Sequence, residues 1–126
     1  MIDHVSIAVR DLKGAEAFYT ALLKPLGMTK LREWPDAAVG YGKKYPEFWI
    51  NKRAAMDVIA PDGGVHTCLR APDKASVDAF HDAALNARGT TDGGPGLRPE
   101  YHGGYYAAFI RDPDGNRIEA VTFLKD

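Results

Sequence analysis

The stretch "GGVHTCLRAPDKASVDAF" (63–80) follows the same plan as "MIDHVSIAVRDLKGAEAFY" (1–19) near the start of the chain. In both, a histidine opens a short apolar run, and a turn and a helix-like pattern follow. Three pairs of landmarks share an offset of 62 residues: His4 and His66, Phe18 and Phe80, and Gly27 and Gly89. Self-similarity at a fixed spacing indicates that one structural unit occurs twice.

Each copy predicts a βαβββ module, with module one over about 1–60 and module two over about 63–126. In module two, 65–71 reads as a strand, 72–88 as a helix and 89–101 as a loop or a broken edge strand. "DPDGN" (112–116) predicts a tight hairpin turn with a positive φ at its glycine. One module alone would bury a single face of its sheet, so we expect both to pack into one domain over 1–126 of the α+β class.

Length and composition indicate a small domain with almost no net charge. The chain has 126 residues, a formal net charge of −1 and one cysteine, Cys68. This charge does not favour nucleic acid or an anionic membrane as a partner, and no apolar run is long enough to span a bilayer. A single cysteine excludes an internal disulfide, and no targeting segment is evident, so we expect a cytoplasmic protein.

Three polar side chains lie in otherwise apolar strands, and we expect all three on the sheet faces that the helices do not cover. Because strand side chains alternate, Val5, Ile7 and Val9 should cover the helix and leave His4 on the other face. The same rule puts His66 and Glu119 on the helix-free face of module two. Burying these groups unpaired is costly, and a divalent metal would satisfy all three. Pairing of Glu119 with Arg70 or Arg117, and partly exposed histidines, are the alternatives.

These residues resemble a known group of proteins. "IDHVSIAVRDL", "GVHTCL" and "YYAAFIRDPDGNRIEAV" are similar to sequences of the vicinal oxygen chelate superfamily, which includes glyoxalase I, extradiol dioxygenases, fosfomycin-resistance thiol transferases and bleomycin-resistance proteins. The resemblance implies an open, mixed barrel of eight strands with the helices outside, usually in a homodimer. It also implies a divalent metal (Fe, Mn, Zn or Ni) in the concave side, with its ligand positions on His4, His66 and Glu119.

The fourth ligand position of glyoxalase I departs from this pattern. The matching strand is "PEFWINKR" (46–53), in which Trp49 aligns with Glu119, and an indole cannot bind a metal. Glu47 lies two residues earlier on the same face and is the remaining candidate for a fourth ligand. The three-ligand set is closer to the dioxygenase and thiol-transferase branches.

Other polar and aromatic side chains are candidates for contacting a small-molecule substrate. Trp49 offers a stacking wall, and Arg70 offers a charge for an anionic group or for Glu119. "RPEYHGGYY" (98–106) supplies the remaining candidates, which are Tyr101, His102 and Tyr105. No catalytic acid or base is assigned among them.

Two functions follow from the resemblance. The first is a metal-dependent enzyme that chelates two adjacent oxygens of a small substrate and performs lyase, isomerase or dioxygenase chemistry. The second is a metal-free protein of the bleomycin-resistance type that sequesters a drug or metabolite. Such relatives usually lack the ligand set, so His4, His66 and Glu119 favour the enzyme.

Overall fold

A computed structural model of the chain describes residues 1–125. Both halves are built as βαβββ, as the repeat predicts. The first half contains β1 (Val5–Val9), α1 (Leu12–Leu23), a 3₁₀ turn (Lys24–Leu26), β2 (Thr29–Trp34), β3 (Ala38–Gly42) and β4 (Phe48–Lys52). The second contains β5 (His66–Arg70), α2 (Lys74–Asn86), β6 (Thr90–Leu97), β7 (Tyr105–Arg111) and β8 (Arg117–Phe123).

The strands form two separate four-stranded sheets with the same topology. Sheet one has the order β1-β4-β3-β2, and sheet two has the order β5-β8-β7-β6. In each sheet the first strand runs parallel to the last strand of its module, and the other pairings are antiparallel. The register confirms the expected equivalence, because Ser6 pairs with Trp49 in sheet one as Cys68 pairs with Glu119 in sheet two.

Both helices begin at an aspartate N-cap. The side chain of Asp11 accepts from the backbone N–H of Gly14, and that of Asp73 accepts from the N–H of Ser76. Such caps satisfy backbone donors that the first helical turn leaves free. α1 has 12 residues and α2 has 13, and no helix within residues 1–125 is long and apolar enough to span a membrane.

One apolar core includes the helices and one face of each sheet, and it spans both modules. Each helix packs on a sheet, and α1 and α2 also contact each other. The largest buried side chains come from both modules: Tyr19, Tyr41, Phe18, Phe48, Phe80, Leu22, Leu23, Leu26, Ile50, Ile110 and Ile118. The opposite face of each sheet is therefore free of helices.

The β7–β8 turn joins the two modules through buried polar contacts. Tyr19 of α1 donates from its hydroxyl to Asp112 Oδ2 at 2.6 Å. Asn116 donates from Nδ2 to the carbonyl of Ala8 at 2.9 Å, and Arg10 Nε contacts Asp114 Oδ1 at 2.6 Å. These bonds fix the end of β1 beside the start of β8. They also stabilise the turn from which β8 begins.

The positive φ predicted for the glycine of the hairpin turn is confirmed, since Gly115 has a φ of +89° in the β7–β8 turn. Gly27 has a φ of +81° after the first helix. After the second helix the left-handed residue is Arg88, at φ +78°, and Gly89 follows it. A Cβ on Gly89 would lie 2.8 Å from the Phe18 ring, so close packing of the modules requires glycine there.

Two expectations about the sheets have different outcomes. The segment predicted as a loop or broken edge strand is β6, an edge strand whose pairing with β7 shifts register twice. The open eight-stranded barrel stays a prediction, because strands pair only within their own sheet in residues 1–125. β1 and β5 each lie at a sheet edge, so each leaves one edge unpaired within the chain.

Candidate functional site

Glu119 is the centre of the helix-free face of sheet two. It projects from β8 and is only 2% exposed. Its Oε1 atom lies 3.0 Å from Nε2 of His66 on β5, and its Oε2 atom accepts from the Tyr105 hydroxyl at 2.5 Å. His66 and Tyr105 come from the strands on either side of β8, so the parallel and antiparallel pairings of sheet two together build this triad.

Two acidic groups beside Glu119 have raised pKa values. Burial and the bond to Glu119 raise the pKa of the Tyr105 phenol well above its usual range. Burial and the charge of Glu119 raise the pKa of the Cys68 thiol to about 12. At neutral pH Tyr105 is therefore a hydrogen-bond donor. Cys68 is exposed in the chain but is a thiol and not a thiolate, which disfavours a nucleophilic role.

An aromatic cluster borders the triad on one side, with Phe123 at its centre. The rings of Tyr105 and His102 meet Phe123 edge to face at centroid distances of 5.5 and 5.7 Å. Tyr101 meets Tyr105 at 5.2 Å, and the guanidinium carbon of Arg70 lies 4.6 Å from the Phe123 ring centre. Four of the five side chains predicted to contact substrate thus lie together, in sheet two or in the loop between β6 and β7.

The arginine partners suggested for Glu119 are engaged elsewhere. Arg117 donates to the carbonyls of Pro61 and Gly63, and its Nε lies 3.6 Å from Asp92. Arg70 stacks on Phe123 instead of pairing with the carboxylate. The charge of Glu119 is therefore met by an imidazole and a phenol.

His4 does not join His66 and Glu119 within one chain. It precedes β1, is exposed, and its Nδ1 lies 2.8 Å from Asp3 Oδ1. Among residues 1–125, no three side chains of His, Cys, Asp or Glu are grouped closely enough to hold one metal ion. His4 and His66 nonetheless occupy equivalent positions, one at the start of each module's first strand.

Trp49 and Glu47 lie in sheet one, apart from the triad. Trp49 projects from β4 on the helix-free face, where its ring covers Gly40, since a Cβ on that glycine would lie 2.9 Å from the indole. Glu47 is exposed and precedes β4. Trp49 therefore has the same position in its module as Glu119 in the other, which confirms the strand alignment but leaves a fourth ligand without support.

The donor set around Glu119 fits part of a divalent metal site. Imidazole nitrogen and carboxylate oxygen are ligands that Fe, Mn, Zn and Ni ions share. Two adjacent ligands at about 2.1 Å from one ion are about 3 Å apart, which matches the separation of the His66 nitrogen and the Glu119 oxygen. Within residues 1–125, one chain brings two such side chains together.

Sequence reasoning missed two aromatic residues of this face, Phe109 and Phe123. Phe109 is the cross-strand partner of Glu119, and its ring centre lies 6.4 Å from that of His66. Strand alternation could have predicted both residues. Phe123 is four residues beyond Glu119 on β8 and so lies on the same face, and Phe109 is the residue that pairs with Glu119 when β7 and β8 are aligned across the hairpin turn.

Comparison with known proteins assigns the family. A model of the glyoxalase/bleomycin resistance protein/dioxygenase superfamily matches residues 1–120, so the chain belongs to this superfamily. No curated protein matches the chain.

Solved structures share the fold over nearly the whole chain. A glyoxalase/bleomycin resistance protein from Albidiferax ferrireducens T118 is 31% identical, with a TM-score of 0.80 and coverage of 95% of this chain and 96% of that one. A family enzyme from Burkholderia phytofirmans PsJN is 21% identical, with a TM-score of 0.71 and coverage of 97% and 98%. A lactoylglutathione lyase from Agrobacterium tumefaciens is 23% identical, with a TM-score of 0.64 and coverage of 96% and 92%.

Proposed function

We propose that the protein is a metal-dependent enzyme of this superfamily that chelates two adjacent oxygens of a small substrate. The observation that carries the proposal is Glu119, a nearly fully buried carboxylate whose Oε1 lies 3.0 Å from an exposed imidazole. Burying a carboxylate such as Glu119 costs folding free energy, and binding a metal ion would offset that cost.

The third ligand is His4 of a second copy in a homodimer. His4 is exposed in front of β1, and the helix-free faces of both sheets are available to a partner. Sheet one of one copy would then face sheet two of the other and close the predicted barrel between them. This arrangement puts Trp49 of one copy opposite the triad of the other, so that it contacts substrate together with Arg70, Tyr101, His102 and Tyr105.

A metal in this site would act as a Lewis acid on a substrate carbonyl or hydroxyl. The side chains of the chain have separate tasks. Tyr105 holds Glu119 in place by donating a short hydrogen bond from its hydroxyl. The aromatic cluster around Phe123 excludes water on one side and packs against a flat substrate. The reaction is of the lyase, isomerase or dioxygenase kind, in the cytoplasm.

Metal analysis tests the ligand set. Protein purified without chelator should hold one Fe, Mn, Zn or Ni ion per copy, and a saturating ion should raise the free energy of unfolding by about 2.7 kcal/mol at a hundredfold excess over Kd. His66→Ala and Glu119→Gln should lose the ion and keep the fold. The control His81→Gln changes a buried histidine of α2 that contacts Thr91, and metal content should stay the same.

Mixing two inactive variants tests the shared site. His4→Ala and Glu119→Gln each destroy every site in their own homodimers. In a random mixture half of the dimers are mixed, and each has one intact site, so metal content should recover to about a quarter of the native value. No recovery in a mixture shown to exchange subunits would contradict the two-copy site.

The second candidate function is metal-free sequestration of a small molecule. It is favoured by the fact that both oxygens of Glu119 already have hydrogen-bond partners within one chain. Native protein that takes up no ion and gains no stability from added Mn, Fe, Ni or Zn would support this alternative over the enzyme.

A further inference from the structure

The helix-free face of sheet two carries an arginine that the proposed metal chemistry does not use. Arg98 directly follows β6, at the sheet edge away from His66. Its guanidinium lies over the Phe109 ring, with 5.3 Å between the guanidinium carbon and the ring centre. No carboxylate within residues 1–125 forms an ion pair with it, whereas Arg111 and Arg117 on the same face share Asp92.

Backbone carbonyls hold this guanidinium in one position. Nη1 donates to the carbonyl of Gly96 at 2.9 Å, and Nη2 donates to that of Gly94 at 2.7 Å. An arginine has five N–H donors, so three remain for a ligand. A guanidinium fixed in advance loses less conformational entropy when it binds an oxyanion.

The glycines of β6 make room for the arginine. A Cβ on Gly93 would lie 3.2 Å from Nη2, and a Cβ on Gly96 would lie 3.2 Å from Nη1. Glycine weakens a strand, and two register shifts interrupt this one at the same place. The irregular edge coincides with the side chain of Arg98, which lies across it.

The distance from Arg98 to the triad sets the size of a bound molecule. Gly93, Phe109 and Glu119 are successive partners across β6, β7 and β8. Two strand spacings separate the guanidinium above Gly93 from Glu119, which is about 10 Å. The Phe109 ring fills the space between them and offers a flat apolar floor.

We propose that Arg98 is an anion-binding residue of this site and that the substrate carries a carboxylate or similar oxyanion about 10 Å from the atoms that meet His66 and Glu119. A flat apolar body lies against Phe109 and joins the two ends. The inference rests on the proposed function for making this face the substrate site, but anion binding by Arg98 does not itself require the metal.

Titration with three small probes, followed by backbone NMR shifts, tests the proposal. The probes are 3-phenylpropionate, phenyl phosphate and the neutral 3-phenylpropanamide. Both anions should shift the resonances of β6 and Phe109 and bind about tenfold or more tightly than the amide, as expected for charge-assisted hydrogen bonds. Preference for only one anion would identify it as carboxylate or phosphate.

Matched variants locate the anion site. Arg98→Gln should reduce the affinity for the anions to that for the amide, while Lys13→Gln, which removes a charge from exposed α1, should leave the preference unchanged. Gly96→Ala keeps the charge of Arg98 but displaces its guanidinium, so anion binding should weaken. This variant tests the anion site if Arg98→Gln does not fold. An anion preference that survives in Arg98→Gln, or disappears in Arg70→Gln alone, overturns the assignment.

The same titrations with added metal and with chelator separate this inference from the proposed function. If the anion preference depends on Arg98 but no metal binds, the anion site is supported and the metal enzyme is refuted. If metal binds to native protein as expected and the anions bind no better than the amide, the anion site alone is refuted.

Discussion

Replacing Tyr19 by Phe tests the polar junction between the modules. The Tyr19 hydroxyl is fully buried, and it donates to Asp112 Oδ2 at 2.6 Å. Asp112 keeps its bonds from the backbone N–H groups of Asp114 and Asn116 and from the Asn116 side chain. Loss of one hydrogen bond to a buried carboxylate should cost about 2 kcal/mol of unfolding free energy, or about 8 °C in Tm for a domain of this size.

The loss should depend on pH in a defined direction. Burial raises the pKa of Asp112 above its ordinary value, and the bond from Tyr19 opposes this by favouring the ionised form. With a raised pKa in the folded state, ionised Asp112 lowers stability at neutral pH, and removing Tyr19 deepens that cost. The deficit of Tyr19→Phe should be largest near pH 7 and shrink as the pH falls through the raised pKa of Asp112.

Denaturant unfolding at fixed protein concentration, between pH 4 and pH 7, provides the measurement. Tyr41→Phe is the matched control, because within residues 1–125 this buried phenol has hydrogen bonds only with the Thr20 hydroxyl and the Glu16 carbonyl. It should cost about 1 kcal/mol, with little change over this pH range. Equal losses in the two variants at every pH, or a Tyr19→Phe deficit that grows in acid, would refute the role given to Asp112.

Two further perturbations test the turn and the thiol. Gly115→Ala should lower the free energy of unfolding by about 2 kcal/mol or more, since φ is +89° and a Cβ would lie 2.7 Å from the Ile59 carbonyl. In the control Gly64→Ala, the added Cβ meets no atom within 4 Å, so the free energy of unfolding from thermal melts should change by less than about 0.5 kcal/mol. With its pKa at about 12, Cys68 should react with iodoacetamide at pH 8 at least about tenfold more slowly than free cysteine, and Glu119→Gln should speed the reaction measured by mass spectrometry.

The sequence predicted the architecture well because its signals are local and repeated. The alternation of Val5, Ile7 and Val9 identified the face of β1 that packs on the core, and the spacing of His4 and His66 identified the second module. The equivalence of Trp49 and Glu119 followed from aligning two short strands, and the register of the sheets confirms it. These inferences need only strand alternation and chain order.

The sequence predicted His66 and Glu119 on one face, but the position of His4 relative to them could not be predicted, because it depends on how the two modules are oriented. His66 and Glu119 come together since β5 and β8 are neighbours in one sheet, whereas His4 belongs to the other sheet. The bond from Tyr105 to Glu119 and the position of Arg98 depend on side-chain directions and on two register shifts in β6. No periodicity in the sequence reports those shifts.

The helices and the buried faces of the two sheets share one apolar core, and the helix-free faces lie outside it. The buried polar junction at the β7–β8 turn lies where the two modules meet. The helix-free faces lie outside this core, so the residue at one strand position can differ between the modules, as Trp49 and Glu119 do, without altering the apolar packing. Diversity of chemistry on a constant frame is the expected evolutionary outcome of this layout.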